Sequence, residues 1–145
     1  MRISVLAAAL LAVALLGPGQ ALAAPPTNDA FADAATLTLP ASPFVDLTEA
    51  TTEAGEPGGG CWQHARSAWY RLQPATDTLV RFSSTGPFDR VVDVYRDTGS
   101  GLTGLTSIGC AYPWSSLETE LQGGSTYYVQ LGAPPWSSVS RDDHG

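Results

Sequence analysis

The chain has 145 residues, with seven arginines, no lysine and fourteen acidic side chains, for a formal charge of −7. That balance leaves no basic footprint for nucleic acid or for an anionic membrane surface. The length allows one domain of ordinary size.

Residues 1–23 have the pattern of a secretory signal peptide. Met1 and Arg2 precede an apolar run over residues 3–16, interrupted only by Ser4, and Gly17-Pro18 ends it. Ala21-Leu22-Ala23 supplies the small residues that a signal peptidase requires, and the run is too short to span a bilayer. Cleavage after Ala23 leaves 122 residues (145 − 23) carrying six arginines against fourteen acids, a charge of −8. The expected product is exported and extracellular, without membrane insertion.

Residues 24–42 form a proline-containing lead. Asn28 is a capping residue type ahead of alanines, so one or two helical turns are expected from there, with Phe31 as the large apolar anchor. Pro40 and Pro43 precede a short strand over residues 44–47. Residues 48–53 then form an exposed edge and residues 55–60, rich in glycine, a loop. An aromatic strand follows over residues 67–72, then a turn around Pro74 and an alternating strand over residues 78–83 with Val80 and Phe82 on one face.

The middle of the chain is a hairpin-like unit over residues 88–110. A β-branched run at residues 91–95 reads as a buried strand, residues 97–101 as a turn, and residues 105–110 as the returning segment. Residues 112–116 form a loop. Residues 117–121 alternate, with Leu117, Thr119 and Leu121 inward. Residues 126–131 alternate again, and residues 133–145 make an irregular tail. About seven short strands between glycine and proline turns predict an all-β antiparallel sandwich over residues 43–132.

Cys61 and Cys110 are the only cysteines. In an exported chain a pair implies one disulfide. A shared metal would need further ligands, and His64 is the one histidine near either cysteine in sequence. The pair is separated by 49 positions (110 − 61), a closure worth roughly 4 kcal/mol in loop entropy.

Few residues suggest chemistry. Asp97-Thr98-Gly99-Ser100 spells an aspartic-peptidase tetrad, but that reaction needs two carboxylates sharing a proton. One copy is present, and Arg96 stands where an apolar residue should precede it. No G-x-S-x-G and no H-E-x-x-H occurs, and His64 and His144 read as solvated loop residues. No catalytic residue is assigned. The aromatics carry a stronger signal. Trp69 belongs to a strand and to the core, whereas Trp62, Trp114 and Trp136 fall in loops, with Tyr112 beside Trp114. A Cys61–Cys110 bridge would gather Trp62, Tyr112 and Trp114 at one end of the sandwich. There they either grip a ligand or cover the end of the core.

Four segments in order resemble a known family: N-D-A-F at residues 28–31, S-A-W-Y-R-L at 67–72, F-D-R-V-V-D-V-Y at 88–95 and T-Y-Y-V-Q-L at 126–131. Together they resemble the bacterial pre-peptidase C-terminal domain, over residues 28–132. The resemblance implies a jelly-roll-like sandwich attached to secreted enzymes or found in other extracellular proteins, some members being calcium binders or substrate-anchoring modules. Arg90 replaces a usual threonine, Asp93 replaces a usual small residue, and Ala111-Tyr112-Pro113-Trp114 replaces an acidic run. The resemblance also calls for one strand after residue 131, where Pro134 and Pro135 stand. The sandwich is therefore expected to lack its last strand, as a truncation or with a strand borrowed from a partner chain.

The expected function is that of a secreted non-catalytic binding or accessory module, contacting polysaccharide or protein through Trp62, Tyr112 and Trp114. Asp29 and Asp46 are the candidate ligands for calcium, an ion that favours oxygen-rich loops. The alternatives are a structural fragment of a longer secreted protein and, on the D-T-G-S match alone, an aspartic-type peptidase. N-terminal sequencing of the exported protein is expected to begin at Ala24. Alkylation without reductant is expected to add no mass.

Overall fold

The computed structural model describes residue 19, residues 22–86 and residues 88–137. The signal-peptide expectation lies almost wholly outside these residues, as does His144. Among the described residues there are seven strands: β1 (Ala35–Leu37), β2 (Arg66–Leu72), β3 (Thr78–Phe82), β4 (Val91–Asp97), β5 (Leu105–Ala111), β6 (Leu117–Leu121) and β7 (Tyr127–Ala133). They form a five-stranded sheet in the order β1-β2-β7-β4-β5 and a two-stranded sheet of β3 and β6. The all-β sandwich is the architecture expected from the strand spacing.

The hydrophobic core lies between the sheets. Tyr70, Leu72, Val92, Val94 and Val129 of the large sheet meet Val80, Phe82 and Leu121 of the small one. β3 and β6 alternate as their sequences require, with Leu79, Arg81, Glu118 and Glu120 turned to solvent. In β4 every residue from Val91 to Tyr95 is buried. A strand covered on both faces reads as a continuous apolar run, not as an alternation.

Three expectations are corrected. Residues 44–47 form no strand: Val45 and Leu47 are buried, but the segment between Pro40 and Pro43 and the turn beyond it enters no ladder. Prolines remove the donors a ladder needs. The seventh strand is instead β1, drawn from the lead and pairing parallel with β2, so the larger sheet is mixed and the lead is part of the sandwich. Asn28 caps no helix. Its Nδ2 donates to the Trp69 carbonyl at 2.9 Å and its own carbonyl accepts from Trp69 N at 2.8 Å. It thus acts as a strand partner for β2, and the only helical turn there is a 3-10 turn over Phe31–Asp33.

The outer face of the large sheet is also covered. Registers align Trp69 of β2 with Gln130 of β7, Gln130 with Asp93 of β4, and Asp93 with Cys110 of β5. Phe31 seals one flank of this row, edge-on to Trp69 at 5.2 Å and tilted against Tyr128 at 4.4 Å. Residues 56–64 cover the rest. Glu56 accepts from Ser67 Oγ at 2.8 Å, Trp69 Nε1 at 3.3 Å and Gln130 Nε2 at 3.0 Å. Further along, Gly60 N and His64 Nε2 both bind the Asp93 carboxylate, and Cys61 bonds to Cys110. The loop follows the row from β2 to β5.

A β-bulge sets that row. The pairing of β4 with β5 shifts register between Val94 and Tyr95, so that Val94 opposes Gly109 and Asp93 opposes Cys110. Without the shift Cys110 would oppose Val92 and face the inner core, because a one-residue slip turns every side chain over. Gly109 has φ +152°, a conformation that disfavours any side chain, and a Cβ there would lie 2.7 Å from Leu117. Gly132 has a different role: a Cβ would lie 1.9 Å from His64 Nδ1, so the imidazole rests directly on the β7 backbone.

Gly132→Ala is therefore expected to push His64 off Asp93 and to destabilise the fold by about 1–3 kcal/mol, as overpacking does. Urea unfolding measures the loss, and an unchanged midpoint would contradict this packing.

Candidate functional site

Cys61 and Cys110 are joined, with their Cα atoms 5.8 Å apart. The residue after Cys61 is Trp62, and the second residue after Cys110 is Tyr112. The bridge therefore brings Trp62 together with the loop that follows β5, as the sequence suggested. Trp62 meets Tyr112 at 5.1 Å between ring centroids and Trp114 at 5.4 Å, both edge-to-face. Tyr112 and Trp114 stack in parallel at 5.3 Å, within 3° of coplanar orientation.

Trp136 completes the cluster, edge-on to Trp62 at 5.3 Å. The sequence marks it as a loop aromatic but does not group it with the other three. Nothing local would have done so, since it arrives from the segment after β7. Pro134 and Ser137 are buried around it, and Ser137 N and Oγ both donate to the Pro134 carbonyl. The start of the supposed irregular tail is thus a fixed turn.

The cluster divides into a support and a surface. Trp62 and Tyr112 are half-buried, whereas Trp114 is 72% exposed and Trp136 is 59% exposed. Edge-to-face and offset-stacked rings at 4.5–7 Å attract by about 0.5–1.5 kcal/mol beyond their burial. Trp62, touching all three others, braces both exposed indoles. The segments that carry the rings, residues 61–63, 111–117 and 133–137, contain no charged side chain. What they offer is a neutral, rigid aromatic surface.

Trp62 is held from both sides. Cys61 ties it to β5, and His64 ties it to β4 through a 2.7 Å contact with Asp93. The His64 side chain is only 1% exposed and that of Asp93 is wholly buried. This corrects the expectation of a solvated His64. Its Nδ1 has no hydrogen-bond partner, and its Nε2 supplies the donor that one carboxylate oxygen needs. The signal was present in Asp93, an acid in the middle of a strand buried on both faces, which must find partners.

Next to this pair, Tyr95 donates from its hydroxyl to Gln130 Oε1 at 3.0 Å. Burial, followed by the charges of Asp93 and Glu56, raises the Tyr95 phenol well above its ordinary value, so it remains a donor.

The remaining candidates lie elsewhere. Asp29 accepts from Thr51 N at 2.7 Å through one oxygen and from Thr51 Oγ1 through the other. Asp46 accepts from Thr48 N at 2.8 Å and from its hydroxyl. Each carboxylate closes a local turn or crosslink. Among the described residues no group of three or more histidine, cysteine, aspartate or glutamate side chains is placed to hold a metal ion. Asp97 begins the turn after β4, where its Oδ1 accepts from Gly99 N at 2.8 Å and Thr98 binds the Gly104 carbonyl. The D-T-G-S tetrad is occupied in closing that turn.

Compared with protein-family models, with curated proteins and with solved structures, the chain has no match.

Replacing Cys61 and Cys110 together by serine is expected to cost about 4 kcal/mol of stability through the lost loop closure and to loosen Trp62. The checks are denaturant unfolding and tryptophan emission, which should shift to longer wavelength before global unfolding. Coincidence of emission and unfolding with the parent protein would show that the bridge does not position the rings.

Proposed function

We propose that this chain is a secreted, non-catalytic binding module of the pre-peptidase C-terminal type, which holds polysaccharide on the aromatics at its disulfide end. The observation that carries the reading is the exposure of Trp114 and Trp136 on a support of half-buried rings. A cluster serving only to cover the core would turn its largest faces inward, whereas here two indoles present theirs to solvent. Flat apolar faces without nearby charge suit the axial hydrogens of sugar rings, and rigid aromatics contribute contact area at little entropic cost. Export, suggested by the N-terminal segment, is compatible with the disulfide.

The test is retention of the exported protein by insoluble cellulose, chitin and starch and by immobilised denatured gelatin. The expected result is retention on at least one polysaccharide. Trp114→Ala and Trp136→Ala should each weaken it by roughly tenfold or more, as central aromatic anchors do, with the melting temperature unchanged. Retention on gelatin alone with the same sensitivity would make the ligand protein. Binding that survives both substitutions would remove these rings from the function.

A further inference from the structure

Ser67 of β2 and Gln130 of β7 are both wholly buried on the outer face of the large sheet. The register sets Ser67 opposite Gly132 and Trp69 opposite Gln130, so the serine and the glutamine are diagonal neighbours on one face. Neighbours of that kind lie within reach of a long side chain. Glu56 joins them. Ser67 Oγ donates to Glu56 Oε2 at 2.8 Å, and Gln130 Nε2 donates to the same oxygen at 3.0 Å. The hydroxyl also contacts Glu56 Oε1 at 2.9 Å and, at 3.2 Å, the Thr51 carbonyl.

The carbonyl end of the amide is held as well, because the Tyr95 hydroxyl donates to Gln130 Oε1 at 3.0 Å. Burial first, and then the charges of Asp93 and Glu56, raise the Tyr95 phenol, so it keeps the proton that it donates. A network that only satisfied buried groups would need an acceptor for the serine and partners for the amide. These four side chains meet a narrower requirement, that of acyl transfer. A hydroxyl rests on a carboxylate base, the acyl oxygen faces a fixed donor, and the nitrogen that must leave touches the same base.

We propose that Ser67 and Gln130 join in an intramolecular ester that locks β2 to β7. Glu56 takes the proton of Ser67 Oγ as that oxygen attacks Gln130 Cδ, and Oε1 carries the developing negative charge under the Tyr95 hydroxyl. The tetrahedral centre then collapses. Its Cδ–Nε2 bond breaks, the electron pair leaves with nitrogen, and Glu56 returns the proton, so that ammonia departs. One Oγ–Cδ bond replaces one Cδ–Nε2 bond, the carboxylate is regenerated, and nothing is oxidised or reduced. Dilution of ammonia into solvent draws the reaction forward, and burial of the pair keeps water from the ester. The step occurs once per molecule and its product is a cross-link, so it is independent of the aromatic surface and its ligand.

The experiment is mass spectrometry of the full exported chain with its disulfide in place. The intact protein should be one ammonia lighter than its sequence requires. After proteolysis, residues 67 and 130 should appear in one branched peptide, which hydroxylamine splits. Ser67→Ala and Glu56→Gln should each have the full mass. Tyr95→Phe, followed by mass after cell-free synthesis, should lose ammonia roughly a hundredfold more slowly, as expected when an oxyanion donor is removed. A parent protein of full mass would overturn the proposal. A loss that persists in Ser67→Ala would do the same, since other amides such as Asn28 can release ammonia, and so would an unchanged rate in Tyr95→Phe. Where a variant does not fold, the presence or absence of the branched peptide in the parent protein decides the matter alone.

Discussion

One row of side chains across the large sheet, Trp69, Gln130, Asp93 and Cys110, governs the arrangement of everything on its outer face. A strand buried on both sides tolerates an aspartate and a glutamine only if each hydrogen-bonding group is answered. The answer is the loop over residues 56–64, which brings Glu56 to Trp69 and Gln130, Gly60 and His64 to Asp93, and Cys61 to Cys110. The loop carries three glycines in succession and has little capacity to hold a conformation alone. The row provides that conformation, and the loop in turn keeps water off the row. Removing either would leave the other unsatisfied, at about 1–3 kcal/mol for each stranded polar group.

The aromatic cluster inherits its rigidity from this arrangement. Trp62 sits between two fixed points, the disulfide and the His64–Asp93 contact, and the other rings are arranged against it. Because the support is built from long-range ties, the exposed indoles can be large and apolar without depending on a ligand for their position. The opposite face of the same sheet is the core side, where valines of β4 and β7 meet β3. The large sheet therefore separates two chemistries. Its outer face is a buried polar network that positions neutral rings, and its inner face packs the apolar core against the small sheet.

Much of the fold was legible because its cause is local. Alternation in residues 78–82 and 117–121 follows from one wet face and one dry face, and it appears in the structure as the small sheet. The apolar run at residues 91–95 marked a strand covered on both sides. The errors have equally specific causes. Ala35–Leu37 is too short and too plain to announce a strand, and it becomes one because β2 offers an unpaired edge. Residues 44–47 have a strand-like composition but enter no ladder among the described residues. Asn28, a good capping residue, found a better bonding site on Trp69 than on its own helix.

By itself the sequence determined the class, six of the seven described strands, the pairing of the two cysteines and the gathering of Trp62, Tyr112 and Trp114. These depend on periodicity, on composition and on there being only one way to pair two thiols. Only the tertiary structure decided that Cys110 faces Asp93 and not the core, since that rests on a one-residue bulge at the bond between two strands. It also decided that the His64 side chain is buried, that Glu56 joins β2 to β7 and that Trp136 reaches the cluster. None of these leaves a trace in the neighbouring residues, because each is a contact between segments far apart in the chain, and such contacts exist only once the register has been set.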